Sequence, residues 1–97
     1  MQTEQLILVD NFCIWHNVEF SFISTLHEYG LIEITTKEDK AFIPQSDISY
    51  VEKLVRLHND LQINPEGVEA ITYLLDRLKN QQDEIVLLQN KLRFYEP

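Results

Sequence analysis

The sequence predicts a mostly helical protein, in which a small head containing a β-hairpin precedes two helices, the last one long and coiled-coil-like. Three observations predict it. Apolar residues recur at helical spacing in several stretches, β-prone runs flank a charged turn near the N-terminus, and no Gly or Pro lies between Gly67 and the final residue. At 97 residues we expect a single domain, 1–97, with the head over residues 1–45 and the helical part over residues 46–97.

The head begins with a β-prone run, QLILV, that predicts a short strand over residues 5–9. A short helix is predicted through residues 12–15, because Asp10 or Asn11 can cap its first turn. Asn17 follows, and asparagine tolerates the left-handed conformation that a tight turn needs. Strand, helix and turn therefore open the chain.

A second short helix is predicted from apolar residues at positions i, i+3 and i+6, which are Phe20, Ile23 and Leu26. Gly30 stands where a glycine commonly ends a helix. Residues 31–36 and 41–44 are then two extended runs around the charged tip KEDK, which predicts a β-hairpin.

Ser46 can cap a third helix, in which apolar residues recur from Ile48 to Leu61. The pair Asn64-Pro65 predicts the start of the last helix, because proline is favoured at the first helical position. We expect this helix to run to about Glu96.

The last helix carries a heptad-like apolar stripe. It comprises Ile71, Leu74, Leu78, Gln81, Ile85, Leu88, Leu92 and Tyr95. The stripe can pack on the third helix of the same chain. A helix over residues 65–96 would, however, be about 48 Å long, and the rest of the chain is too small to cover it. We therefore expect a homodimer through Leu78, Gln81, Ile85, Leu88, Leu92 and Tyr95.

The charge balance disfavours nucleic acid and anionic membranes as ligands. Acidic side chains outnumber basic ones 16 to 8, which gives a net charge of −8 and favours a basic partner. The apolar run at residues 6–9 is too short for a signal peptide or membrane span. The single cysteine, Cys13, cannot form an internal disulfide and fits a reducing compartment, so we expect a cytoplasmic protein.

The sequence offers no catalytic, metal or cofactor site, and we expect no enzyme. His16, His27 and His58 lack metal-ligand spacing. Cys13 lies among Phe12, Ile14 and Trp15, which predicts a buried structural thiol rather than a nucleophile.

The order helix, turn, second helix ending in Gly-Leu, hairpin and long helix describes a winged helix-turn-helix. The segment STLHEYGLIE, at residues 24–33, resembles the head of MerR-type regulators. Those regulators place basic and aromatic residues in the second helix, where this chain has Ser24, Thr25 and Leu26. Seven acidic residues against two lysines in the first 45 residues cannot neutralise phosphates, so the fold is of a DNA-binding type without the matching surface.

A second resemblance covers nearly the whole chain. The segments DNFCI, LVRLHNDLQINPEGV and KLRF resemble the CbpM-type chaperone modulators. That family tends to have Gly where Asn17 stands and an aromatic residue where Asn64 stands. The resemblance implies a protein that binds the J-domain of a DnaJ/CbpA-like co-chaperone and inhibits its work with DnaK. It also implies a basic partner helix, which suits an acidic chain.

Three functions therefore compete: a J-domain-binding modulator, a MerR-like DNA-binding transcription regulator, and a dimerisation or scaffold module. For the first function, the surface of this chain that binds the J-domain should combine acidic groups with an aromatic side chain. Glu69, Tyr73 and Asp76 share one helical face, away from the apolar stripe. With Asp60 and Glu66 they form the predicted partner-binding set.

Overall fold

The computed structural model describes residues 5–95. In chain order the elements are β1 (Leu6–Leu8), α1 (Val9–His16), α2 (Phe20–Glu28), β2 (Thr35–Lys37), β3 (Lys40–Pro44), a 3-10 turn (Gln45–Asp47), α3 (Ile48–Leu61) and α4 (Pro65–Arg93). The three strands form one antiparallel sheet in the order β1-β3-β2. The structure confirms the predicted fold class: mostly helical, with a small sheet and a long last helix.

The first helix begins earlier than predicted. Neither Asp10 nor Asn11 caps it, because α1 starts at Val9 and the extended residue Leu8 occupies the N-cap position without a side-chain hydrogen bond. Val9 and Phe12 are both buried, and this i, i+3 pair places the start of the helix directly after the strand. The predicted strand over residues 5–9 is correspondingly shorter, at Leu6–Leu8.

The turns after α1 and α2 have the same geometry. Gly30 has φ +76°, and the N–H of Leu31 donates to the carbonyl of Leu26 at 3.0 Å, which is a Schellman motif. Asn17, with φ 51°, performs the same role after α1, as the sequence predicted. Residues 31–34 follow this cap without forming a strand, and β2 begins at Thr35. The predicted extended run over residues 31–36 is therefore wrong in its first part.

The hairpin confirms the predicted charged tip. Glu38 and Asp39 both have positive φ, as a two-residue turn of the primed type requires. Ser46 does not cap α3, because it lies within the 3-10 turn and the helix begins at Ile48 with Asp47 at the N-cap. The N–H of Gln45 donates to the carbonyl of Gln5 at 2.9 Å, which extends the sheet pairing one residue beyond β3 before the chain turns.

The start of α4 is as predicted. The side chain of Asn64 accepts a hydrogen bond from the N–H of Gly67 at 2.8 Å, and Pro65 is the first helical residue. The helix ends at Arg93. Its predicted end at Glu96 lies outside the described residues.

The core joins the head to α3 and to the first turn and a half of α4. It comprises Val9, Phe12, Val18, Phe22, Ile23, Leu26, Ile32, Ile43, Val51, Leu54, Val55 and Val68. Val68 is the one buried side chain of α4. The rest of that helix projects away, which gives the described residues a length of 63 Å and a radius of gyration of 17.9 Å. A compact chain of this size would have a radius of gyration of about 12.5 Å.

Candidate partner-binding surfaces

Four of the predicted partner-binding residues lie at two sites on the structure. Asp60 and Asp76 line a groove of about 490 Å³ between α3 and α4, whose apolar part comes from Leu54, Leu57, Leu61 and Leu75. Lys53 and Arg56 line the same groove, so its acidic and basic side chains balance. The groove is therefore apolar with a mixed charged rim.

Glu66 and Glu69 lie at a second site, where the end of α2 meets the start of α4. The Tyr29 hydroxyl donates to a carboxylate oxygen of Glu66 at 3.0 Å. That hydrogen bond, together with burial and the charges of Glu66, Glu69 and Glu28, raises the pKa of Tyr29. Glu66 thus contacts the phenol directly and the charges of Glu28 and Glu69 act on it, and we call Glu28, Glu66 and Glu69 the acidic surface.

Tyr73 is exposed on α4. Its side chain is 62% exposed, and the guanidinium carbon of Arg77 lies 6.0 Å from the ring centre. A cation therefore already lies over one face of this ring.

Tyr50 was not predicted as a groove residue, because nothing in the spacing of α3 shows that α4 crosses it. Burial raises the pKa of Tyr50 and the nearby charge of Asp76 adds to the effect, while a hydrogen bond with Thr72 acts in the opposite direction. Tyr50 lines the groove about 15 Å along α3 from Asp60, and the charge of Asp76 acts on it.

The apolar stripe of α4 is uncovered beyond its first residues. Leu74, Leu78, Ile85, Leu88 and Leu92 are between 49% and 61% exposed, and Tyr95 is 84% exposed. Leu75, Val86, Leu87 and Phe94 add further exposed apolar surface on other sides of the helix. Packing of this stripe on α3 of the same chain is excluded, because only Ile71 among its members is half-buried.

Residues 7–90 match the sequence model of a family described as "MerR HTH family regulatory protein". The chain belongs to this family. Compared with curated proteins, the chain shows no match. The match spans the head, α3 and most of α4, which is the same arrangement of a winged helix-turn-helix and long helix that the structure shows.

In a MerR-family head the second helix of the helix-turn-helix is the one that reads the DNA major groove. Here α2 has the sequence FSFISTLHE and carries no Lys or Arg. The lysines of the wing, Lys37 and Lys40, are exposed but flank Glu38 and Asp39 at the hairpin tip. This MerR-family chain therefore presents an uncharged to acidic face at the position of a DNA-reading helix.

The environment of Cys13 is less buried than predicted. Cys13 is half-buried and packs against the core, and burial, followed by the charge of Asp10, raises its pKa. Of its three apolar neighbours, Phe12 is buried, whereas Ile14 is 76% exposed and Trp15 is 67% exposed. Helical spacing from Val9 and Phe12 turns Ile14 outward, whereas Trp15 lies at i+3 from Phe12, so spacing alone would have placed Trp15 toward the core.

The three histidines hold parts of the fold together. The Nδ1 atom of His58 lies 2.7 Å from the carbonyl oxygen of Ile63, so it carries the hydrogen, and the ring stacks on Phe22 at 4.1 Å. His27 reaches the carbonyl of Ile32 at 3.3 Å, and His16 lies 3.8 Å from a carboxylate oxygen of Glu52. In residues 5–95 no three His, Cys, Asp or Glu side chains converge to hold a metal ion.

No helix among the described residues is both long and apolar enough to cross a membrane. The long helix α4 carries charged side chains throughout, from Glu66 to Arg93.

Proposed function

We propose that this MerR-family chain is a protein-binding modulator of the CbpM type, which binds the J-domain of a DnaJ/CbpA-like co-chaperone and competes with DnaK. The observation that carries the proposal is the acidic surface of Glu28, Glu66 and Glu69 around Tyr29. It lies where the start of α4 meets a head whose α1 and α2 have no Lys or Arg. Such a surface favours a basic helix over a phosphate backbone.

The proposed contact set is the predicted one, Asp60, Glu66, Glu69, Tyr73 and Asp76. Their carboxylates steer a basic partner, because long-range attraction mainly raises the association rate. Tyr73 supplies exposed aromatic area, and interface energy concentrates in a few such side chains. No covalent step is needed, since occupation of the J-domain helix is itself the inhibition. The proposal implies a cytoplasmic localisation, and the free thiol of Cys13 agrees with this.

The proposal is tested by titrating a purified J-domain into the full chain by calorimetry. We expect binding that weakens as salt rises. Tyr73→Ala and Asp76→Lys should each weaken it at least about 10-fold, or about 1.4 kcal/mol. Asp83→Lys is the matched control, because it makes the same charge change farther along α4 and should have a much smaller effect. Absence of any binding by the wild type would refute the proposal.

The uncovered stripe favours self-association as part of this function. A second copy is the simplest cover for Leu78, Gln81, Ile85, Leu88, Leu92 and Tyr95, because apolar side chains on a helix projecting from its own core gain burial only from another chain. The same observation supports the alternative of a dimerisation or scaffold module. Binding of a J-domain distinguishes the two, since a scaffold alone predicts none.

The other alternative, a DNA-binding transcription regulator, draws support from the family membership alone. The charges of the head oppose it, because phosphate neutralisation supplies most non-specific DNA affinity.

A further inference from the structure

Two large apolar side chains that are consecutive in the sequence project from the first helix of the head. Ile14 and Trp15 are more exposed than any of the core-facing residues of α1, which include the buried pair Val9 and Phe12. We call Ile14 and Trp15 the Trp15 patch. Tryptophan is enriched at the energetic centres of protein interfaces.

Hydrogen bonds from α3 fix the end of the helix that carries the patch. The Asn59 side-chain amide donates to the backbone carbonyls of His16 and Asn17, at 3.0 and 3.3 Å. The N–H of Val18 closes the turn on the carbonyl of Cys13 at 3.1 Å. A partner would therefore meet a preformed helix end, so little entropy is lost in ordering this side of an interface.

The charges around the patch select the partner. The acidic residues of α1 and α2 and the turn between them are Asp10, Glu19 and Glu28, and residues 9–28 contain no Lys or Arg. On α3, Arg56 lies between Glu52 and Asn59, the two residues that contact the end of α1, so one cation accompanies these acids. His16 is already beside the Glu52 carboxylate, at 3.8 Å. An apolar patch within an acidic helix-turn-helix is complementary to a helix with an apolar stripe and flanking cations.

We infer that the Trp15 patch is the main apolar anchor for a basic amphipathic helix of the partner, a role that Tyr73 had been expected to fill. This inference rests on the proposed function and deepens it. Arg77 already lies over one face of the Tyr73 ring, whereas residues 5–95 place no cation over Trp15, so both faces of the Trp15 ring are open to a partner's cations. The helix-turn-helix of this chain thus binds protein with the helix pair that its family uses on DNA.

The test uses the fact that Trp15 is the single tryptophan of the chain. A J-domain without tryptophan is titrated into the full-length protein while the emission and acrylamide quenching of Trp15 are followed. We expect a shift to shorter wavelength and reduced quenching on binding. Trp15→Ala should weaken binding at least 10-fold by calorimetry, and Trp15→Phe should recover part of it. Leu87→Ala, which removes an exposed apolar side chain far along α4 and outside the proposed contact set, should change it less than about 3-fold.

The outcomes separate the two proposals. If the J-domain binds while Trp15 stays fully quenchable and Trp15→Ala binds like the wild type, the inference is wrong and the proposed function stands. If the wild type does not bind the J-domain at all, both fail. If Trp15 becomes protected when the protein alone is concentrated, a second copy covers the patch and the inference is overturned.

Discussion

Individual polar side chains decide how the helices of this chain meet. Asn59 donates from α3 to the end of α1, and Asn64 accepts from the first turn of α4. Helix ends leave backbone groups without partners inside the helix, so each of these amides satisfies groups that the backbone cannot. His58 adds a third such contact at the end of α3, through the carbonyl of Ile63.

The cap at Asn64 should contribute measurably to stability. Asn64→Ala removes the acceptor for the Gly67 N–H, and we expect the free energy of unfolding to fall by about 1 kcal/mol. Urea titration followed by circular dichroism measures the change. Asn80→Ala, an exposed position in the middle of α4, is the control and should leave stability equal or slightly higher. Equal midpoints for Asn64→Ala and the wild type would show that the cap has no role.

Cys13 should be a slow thiol. Burial and the charge of Asp10 raise its pKa, so less thiolate is present at pH 8 than for a free cysteine with a pKa of about 8.5. We expect iodoacetamide to react more slowly with the folded protein than with the urea-unfolded protein, and the pH profile to be displaced upward. Asp10→Asn should move the profile partly back, because it removes the smaller of the two causes. A folded thiol that reacts as fast as the unfolded one would contradict this assignment.

At the scale of elements, α4 is fixed at its beginning and uncovered along most of its length. A Cβ on Gly67 would lie 2.6 Å from a methyl carbon of Ile63, so glycine allows Ile63 and Val68 to pack across the helix start. Ile63 is β-branched and cannot easily rotate away. Beyond Thr72 the helix has little contact with its own head.

The stripe therefore predicts an oligomeric state that mutation can change. Leu88→Asp combined with Leu92→Asp should convert dimers to monomers, because charges buried without partners in an apolar seam cost several kcal/mol. Sedimentation velocity at tens of micromolar measures this. Gln89→Asp combined with Asn90→Asp adds the same charge beside the stripe and should leave dimers largely intact. A wild type that sediments as a monomer would refute the dimer.

Residues that favour a helix end or a helix start correctly predicted where three elements end or begin. Gly30 ended α2, Asn17 formed the left-handed turn, and Asn64-Pro65 began α4, because each acts through backbone geometry alone. The start of α1 and the path of residues 31–34 were missed, since burial of Val9 and Ile32 in the assembled core determined them. Which residues become buried depends on how the elements pack together, and local sequence patterns do not show this.

The candidate surfaces show the same limit. The spacing of Glu69, Tyr73 and Asp76 correctly indicated an exposed face of one helix. It could not show that Asp76 and Asp60 line one groove, or that Tyr29 from α2 joins Glu66, because both depend on how helices cross. The outward position of Trp15 was missed because Trp15 lies at i+3 from the buried Phe12, a spacing that usually places two residues on the same face.

At the scale of the whole molecule, charge and shape act together. The chain carries a net charge of −8, and its described part is 63 Å long while its core lies at one end. The head, which would have to approach DNA, is the more acidic part, with no Lys or Arg on either helix of the helix-turn-helix.

We therefore expect no binding to duplex DNA at physiological salt. The head lacks the cations that release counterions from phosphates, and this release drives non-specific binding. Fluorescence anisotropy with a labelled duplex measures it, with a basic member of the family as the positive control. Salt-sensitive affinity in the micromolar range or tighter would return the chain to the class of DNA-binding regulators.

The uncovered length of α4 also has a consequence for backbone hydrogen exchange. Amides near Val68 are protected by the core, whereas those of residues 80–93 depend on helical hydrogen bonds alone, and an isolated helix of that length is marginal in water. Deuterium uptake should therefore rise along α4 in dilute protein. If a second copy covers the stripe, uptake over residues 80–93 should slow as the protein is concentrated, while uptake near Val68 stays the same. Uniform protection along α4 at every concentration would contradict both statements.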